Sequence, residues 1–315
     1  MKITREQALH GAKVFSDYFD RFDGIADYIR EQKLNALSDI PIGLPGMEPE
    51  TDLFNDSDMH PEDMEIEVKE LQQNLWNNYL SIISSHSNMT SIPGKQLRLG
   101  VLEKNTNKWL GFIRIGSPVI NMKPRNQLLN SIFTESPEKA KAFNNTTVMG
   151  FAIVPTQPFG FNALGGKLLA AICCSHHVRE MMNKKYKGMN VCLFETTSLY
   201  GSSKSSSQYD GMKPYIRFKG LTDSNFLPLM HGKPYDDLKE YMENAVGEPL
   251  VPEDASSRKL KISTKIQALI KAALDKSDLD KFNQTINKAL NLTEKKRYYA
   301  SSYGFSNFVD VVTGK

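Results

Sequence analysis

The chain has 315 residues, 40% of them apolar and 24% charged, with a net charge of +3. That balance excludes a largely disordered chain, a collagen-like repeat and a bare coiled coil, and the length allows two or three domains. No stretch approaches the ~20 apolar residues that span a bilayer, so no membrane partner is expected. The opening MKITREQALHGAKVFSDYFDRFDG turns acidic where a secretory signal turns apolar. Three cysteines make no disulfide framework, so the expectation is a cytoplasmic protein with reduced thiols.

In chain order, residues 5–34 place Ala8, Ala12, Phe15, Tyr18, Phe19, Phe22 and Ile25 near helical spacing. Residues 40–61, with four prolines, two glycines and many carboxylates, read as an acidic loop. A second helix is predicted after Pro61, through Met64, Val68, Leu71, Leu75 and Tyr79. This acidic helical region, residues 1–94, holds 7 Lys and Arg against 17 Asp and Glu, a net −10.

From Leu97 the pattern changes to short β-rich runs, LRLGVLE, WLGFIRIG, TVMGFAIVP, VCLFETT and PYIRFKG. A long helix is predicted between the third and fourth, over residues 165–186. Together these predict an α/β core over residues 95–235, with a net charge of +12. Residues 236–315, at +1, read as a helical C-terminal region. There Ser263 and Ser277 start helices, Thr293 opens a third, and an aromatic tail YYASSYGFSNF follows. A +12 segment beside a −10 segment has two readings. The basic middle faces a polyanion such as nucleic acid, or the acidic arm folds over it as a lid.

Several residues are candidates for chemistry. The strand over 147–155 leads through a glycine-containing turn into a helix, which makes a phosphate site from unpaired amides, the helix dipole, Gly165, Gly166 and Lys167. The other reading is that the glycines only permit tight helix–strand packing. Glu195 stands in an apolar strand, where a carboxylate acts as a general base or an amine holder, or pairs with Lys204 or Arg217. Ser175 and His176 lie in the predicted helix as catalytic candidates, set against ordinary packing. Cys173, Cys174, His176 and His177 occupy consecutive helical positions that diverge, and no CxxC or HxxxH spacing occurs, so no metal is expected. Basic residues beside apolar or aromatic ones recur at Lys123, Arg125, Lys204, Lys213, Arg217 and Lys219, a pattern suited to phosphates and unpaired bases.

The order strand, turn, helix, strand, tyrosine, strand resembles the core of the GNAT acyltransferases. The resemblance implies a GNAT-like mixed central sheet and an acyl donor, acetyl-CoA or a relative, held by Ile153, Val154, Asn162, Gly165, Gly166 and Lys167. It also implies that Tyr209 protonates the departing thiolate. The family's turn runs roughly Gln/Arg-x-x-Gly-x-Gly/Ala, and Asn162-Ala163-Leu164-Gly165-Gly166-Lys167 departs from it at the first residue and the last glycine. The string FNALGGKLLAAICCSHHV…KYKGMNVCLFETTSLYGSSKSSSQYDGM is similar to the Druantia DruA-type family of phage-defence and mobile-element proteins, and to the Mom-like DNA-modifying relatives of phages. What this implies is a DNA-directed, GNAT-like transferase modifying a nucleobase. The alternatives are a non-catalytic DNA-binding component on the same fold, or a structural protein docking through its acidic arm.

Overall fold

Thr4 starts the first helix with a capping box. Its hydroxyl accepts from the Gln7 amide at 3.2 Å, and the Gln7 side chain accepts from the Thr4 amide at 2.8 Å. Helix α1 (Arg5–Phe19) follows, and later Pro49–Asp52 makes a single turn. The helix expected from Met64 to Tyr79 is instead a strand and a shorter helix, β1 (Ile66–Glu70) and α2 (Gln73–Ile83). The run IEVKE alternates apolar and charged groups, which suits one covered sheet face better than a helix. Next come β2 (Gln96–Glu103), β3 (Lys108–Gly116), α3 (Lys123–Leu129), α4 (Pro137–Thr146) and β4 (Thr147–Pro155).

The single helix expected over 165–186 is two, α5 (Gly165–Cys173) and α6 (His176–Lys185). Ser175, at φ −81° and ψ 149°, leaves the first and caps the second. Beyond them lie β5 (Leu193–Ser198), a 3-10 turn Gln208–Gly211, β6 (Arg217–Leu221), α7 (Lys233–Val246), α8 (Arg258–Ala273) and α9 (Lys276–Asn291). Ser263 is no cap; it is buried inside α8. The aromatic tail holds a strand, β7 (Arg297–Ser301), before α10 (Phe308–Thr313). The computed structural model describes residues 1–24, 27–28, 30–31, 34, 47–56, 58–84, 94–156, 165–198, 207–222, 229–255, 258–291 and 295–314. Thr293 lies outside them.

Contacts divide the chain into two units, residues 1–35 with 224–294 and residues 36–223 with 295–315. These boundaries cut across the expected segments 1–94, 95–235 and 236–315, because α1 shares a core with the C-terminal helices. In the first unit Phe15, Phe19, Leu238, Met242, Ile266, Ile270 and Phe282 form that core. Gly11 lets α1 approach closely, since a Cβ there would stand 2.3 Å from the Met242 methyl and 2.9 Å from Ile270. His231 is held at the edge of this core. Its amide donates to the Tyr18 hydroxyl at 3.1 Å, and its Nδ1 lies 3.0 Å from the Lys259 ammonium. Burial, with that ammonium alongside, lowers the imidazole to about 4.

The second unit is a seven-stranded sheet among the described residues, ordered β1-β2-β3-β4-β5-β7-β6. Every neighbouring pair is antiparallel except β4–β5. A parallel pair needs a crossover, and α5 and α6 supply it. Successive residues on the strands face opposite layers. Val148, Phe194 and Tyr299 pack with Leu169, Ala170 and Cys173 of α5. Their neighbours Met149, Leu193 and Tyr298 pack with Phe133, Phe143 and Val312. Helix α2 covers the same second face farther along, where Trp76 and Tyr79 meet Phe112 and Ala152. The expected α/β class is borne out, as a mixed sheet with helices on both faces.

The acidic segment is not a lid in its described part. Phe54 donates its amide to the Trp109 carbonyl at 2.9 Å, Leu53 bridges Trp109, and the Tyr79 hydroxyl donates to Asp52 at 2.5 Å. These contacts anchor it beside β3 and α2, several strands from the basic edge at β6. Residues 40–46 and Ser57 lie outside the described residues.

Two outcomes follow from this packing. A Cβ on Gly111 of β3 would stand 2.5 Å from Leu169 and 2.7 Å from the Val154 carbonyl oxygen, and backbone cannot swing aside. Gly111→Ala should therefore lose about 1–3 kcal/mol by overpacking, read as a lower Tm; a Tm equal to wild type would refute that tight contact. For His231, the unfolded chain takes up a proton below about 6.5 that the folded chain refuses until about 4. Stability of the first unit should fall as pH drops through that window. Melting curves from pH 7 to pH 4 should be steeper for wild type than for His231→Asn, and parallel curves would contradict the coupling.

Candidate functional site

The parallel junction is short. β4 and β5 pair from Thr147↔Leu193 to Gly150↔Thr196, yet β4 continues to Pro155 in register with β3. Beyond Gly150 the two strands part. The Thr196 hydroxyl closes the last rung, donating to the Gly150 carbonyl at 2.9 Å. The β3–β4 register shifts at the same level, leaving Phe151 as the extra residue of a bulge. Ile153 and Val154 are half-buried on the freed edge. Open α/β sheets bind ligands outside such carboxyl ends, where neighbouring connections diverge.

Helix α5 begins at this end with Gly165 and Gly166, both buried. A Cβ on Gly166 would fall 2.5 Å from the Gln208 carboxamide, so that side chain stands against the helix start. Lys167 is half-buried in the first turn and approaches Gly211. Tyr209 is buried next to them, its ring edge-on to Tyr299 at 5.4 Å. Burial raises its phenol well above the ordinary tyrosine value, so it keeps its proton.

The turn carrying Tyr209 is pinned by residues that the sequence left in an aromatic tail. Asp210 accepts from the Tyr299 hydroxyl at 2.8 Å and from the Arg297 guanidinium at 2.9 Å. Burial alone would raise the Asp210 carboxyl, but these donors hold it below the ordinary range. Arg297 also lies over the Phe218 ring at 3.9 Å. The tyrosine, the glycines and Lys167 are thus brought together; Asn162 lies outside the described residues.

Glu195 and Arg125 are found elsewhere, and in another role. Both side chains are fully buried, and they pair with each other at 3.0 Å. Tyr298 donates its hydroxyl to the second Glu195 oxygen at 3.0 Å. Arg125 also donates to the Val119 and Ile120 carbonyls, at 2.6 and 2.7 Å, and lies over the Phe143 ring at 4.3 Å. Burial pushes the Glu195 carboxyl up, and the guanidinium and hydroxyl pull it down. A carboxylate with both oxygens engaged and no exposed surface cannot reach substrate. Among the described residues the partner is Arg125, not Arg217, and Arg125 cannot meet a phosphate at the surface.

Four of the remaining candidates meet at a second place, a cleft of about 730 Å³ at the corner where β7 ends and β6 begins. Ser175 and His176 at the start of α6 line it, as do Arg217 and Lys219 of β6. Lys213 is exposed just before Pro214 on its rim, and Lys123 is exposed away from it on α3. Lys204 lies outside the described residues. The Ser175 hydroxyl is spent on the cap, donating to the Ile172 carbonyl at 2.7 Å and accepting from the Val178 amide at 3.3 Å, so it is not poised as a nucleophile. Cys174 also lines the cleft, its thiol pushed up to about 12 by burial, which leaves it protonated and unreactive.

No helix among the described residues is long and apolar enough to cross a membrane. These features define a mixed α/β protein with an opened parallel strand junction at one end of its sheet and a cation-lined cleft at the other. The chain belongs to the DruA family: the family model described as Druantia protein DruA matches residues 24–204, more than half of it. Membership identifies it as a component of a phage-defence system. The DruA-type resemblance, expected over about residues 97–225, is therefore borne out as to family, and the match takes in residues 24–96, which that resemblance left outside. The chain matches no curated protein and no solved structure.

The buried pair yields a stability test. Glu195→Ala strands a guanidinium that cannot lose its charge, which should lower stability by about 3–5 kcal/mol. Chemical denaturation would measure this, and a midpoint unchanged from wild type would mean the pair carries no structural role.

Proposed function

We propose that this DruA-family protein transfers an acyl-type group from a coenzyme A donor to a nucleobase of DNA inside the cell. The observation that carries the reading is the parting of β4 from β5 beyond Gly150, next to the glycine start of α5. The residues fit a donor of that kind. Ile153 and Val154 offer a strand edge turned away from β5, and the buried Gly165 and Gly166 leave room for backbone amides to meet a diphosphate once Gln208 swings aside. Lys167 adds a positive charge in the same turn.

A bound thioester supplies an activated acyl group. The chain's own residues orient and protonate. Tyr209 holds its proton beside the helix start, which suits an acid more than a base. Asp210, Tyr299 and Arg297 fix the turn that carries it. Exposed Lys213, Arg217 and Lys219 follow within ten residues and suit a phosphate backbone. A base buried in duplex DNA has to leave the stack to reach such a site. The Mom-like resemblance points the same way. Glu195 takes no part, and water receives the proton of the acceptor amine.

A second reading, a DNA-binding component with an idle donor site, is favoured by the Gln208 carboxamide standing against Gly166. Calorimetric titration with acetyl-CoA separates the two. Saturable binding, weakened about tenfold or more by Gly166→Val with the fold intact, is expected. Absence of heat at about 1 mM ligand would leave the idle-site reading standing.

A further inference from the structure

We infer that the cleft at the β6–β7 corner binds a nucleoside phosphate, independently of any donor at the β4–β5 junction. The two places lie at opposite ends of β5. Leu193 lines the cleft and Ser198 ends the strand beyond the opened junction, about 17 Å away at the usual rise per residue. The inference therefore stands whether or not acetyl-CoA binds.

Charge decides the ligand's sign. Arg217 and Lys219 of β6 both line the cleft, Lys219 as the extra residue of a bulge where the β6–β7 register shifts. Neither makes an ion pair or hydrogen bond among the described residues, and no carboxylate lines the cleft. Two uncompensated cations facing a concavity attract an anion. The ten-residue helix α6 adds to them, because Ser175 and His176 at its N-terminus line the same space. The cap satisfies only the Val178 amide, so earlier amides of the first turn and the positive end of the dipole serve an anion. Ser302 offers a hydroxyl from the turn after β7.

Size and the remaining wall decide what carries the charge. A cleft of about 730 Å³ is far larger than a lone phosphate needs and falls in the range of organic ligand sites. Its far side is apolar, with Leu128, Leu193 and Phe308. Tyr215, two residues before Arg217, lines the mouth and is 66% exposed. An exposed aromatic ring beside a phosphate-binding pair is a stacking platform for a base. Phosphate on the cations, sugar over the serine hydroxyl and base against the tyrosine make a nucleotide of this arrangement. The same chemistry comes from a free nucleotide or from the phosphorylated end of a DNA strand.

Calorimetry on the full chain tests this with four probes: dAMP, deoxyadenosine, a 5′-phosphorylated single-stranded oligodeoxynucleotide and the same oligonucleotide without the phosphate. Saturable binding of dAMP or of the phosphorylated strand below about 1 mM is expected, with the matching unphosphorylated probe about tenfold weaker or more. Tighter binding of the phosphorylated strand than of dAMP identifies a strand end as the source, and the reverse identifies a free nucleotide. The double variant Arg217→Gln, Lys219→Gln changes only exposed side chains, so its melting temperature should match wild type while affinity falls about tenfold or more. Lys141→Gln, an exposed change on α4, should leave affinity unaltered. Failure of both phosphorylated probes to saturate, equal affinity for the unphosphorylated ones, or an unaffected double variant would each overturn the inference. An acetyl-CoA titration that fails leaves all of these readings intact.

Discussion

The sheet of the second unit is completed by five residues near the end of the chain. β7 enters between β5 and β6, pairing antiparallel with both, and without it two strands would present unpaired edges. Its alternation serves both faces at once. Tyr298 turns to the Glu195–Arg125 pair, and Tyr299 turns to Asp210 and the turn that holds Tyr209. Ala300 and Ser301 then form part of the cleft wall. The buried ion pair, the buried tyrosine and the cationic cleft thus share one strand as their common support.

The buried pair shows how residue type and role separate. Arginine beside lysine and proline, in the segment MKPRNQ, has the composition of a phosphate contact. Pro124 and Arg125 nevertheless face inward from α3, and the guanidinium finds a carboxylate, two carbonyls and an aromatic ring. A cation engaged through both terminal nitrogens gives up its hydration for fixed partners, and its unpartnered Nε is buried out of a ligand's reach. Lys123, two residues earlier, stays exposed. A single helical turn divides the surface role from the core role.

Among the described residues of the second unit, charge is segregated across the sheet rather than folded upon itself. The described part of the acidic segment packs beside β3 and α2, while Arg217 and Lys219 sit on β6 at the sheet's edge. Four strand spacings separate β3 from β6, about 19 Å. That exceeds the ~8 Å over which salt screens exposed charges at physiological strength. The cations of β6 are accordingly left with their field unneutralised by the described acidic segment beside β3. A polyanion approaching that edge meets attraction there and little repulsion from the far side.

Local pattern was enough for much of this. The strands over 97–103, 108–116, 147–155 and 193–198, the glycine entry to α5 and the DruA-type string are all legible, because strand alternation, glycine turns and helix faces are set by near neighbours. The sequence also determined that Ser175, His176, Arg217 and Lys219 were worth singling out. It did not reveal that these four share one cleft, since their segments meet only through the crossover and the return of β7. It also missed that strand, whose short aromatic run follows long helices and carries no turn signal of its own. Val68 and its neighbours were misassigned because apolar residues spaced by three or four fit a helix as well as a strand followed by a helix. Only the tertiary structure decided which cation is buried, which carboxylate is paired and which ends of the sheet lie open. Those outcomes depend on contacts between residues 70 to 130 positions apart, such as Arg125 with Glu195 and Tyr303 with Cys173. No local pattern of side chains encodes partners at that distance.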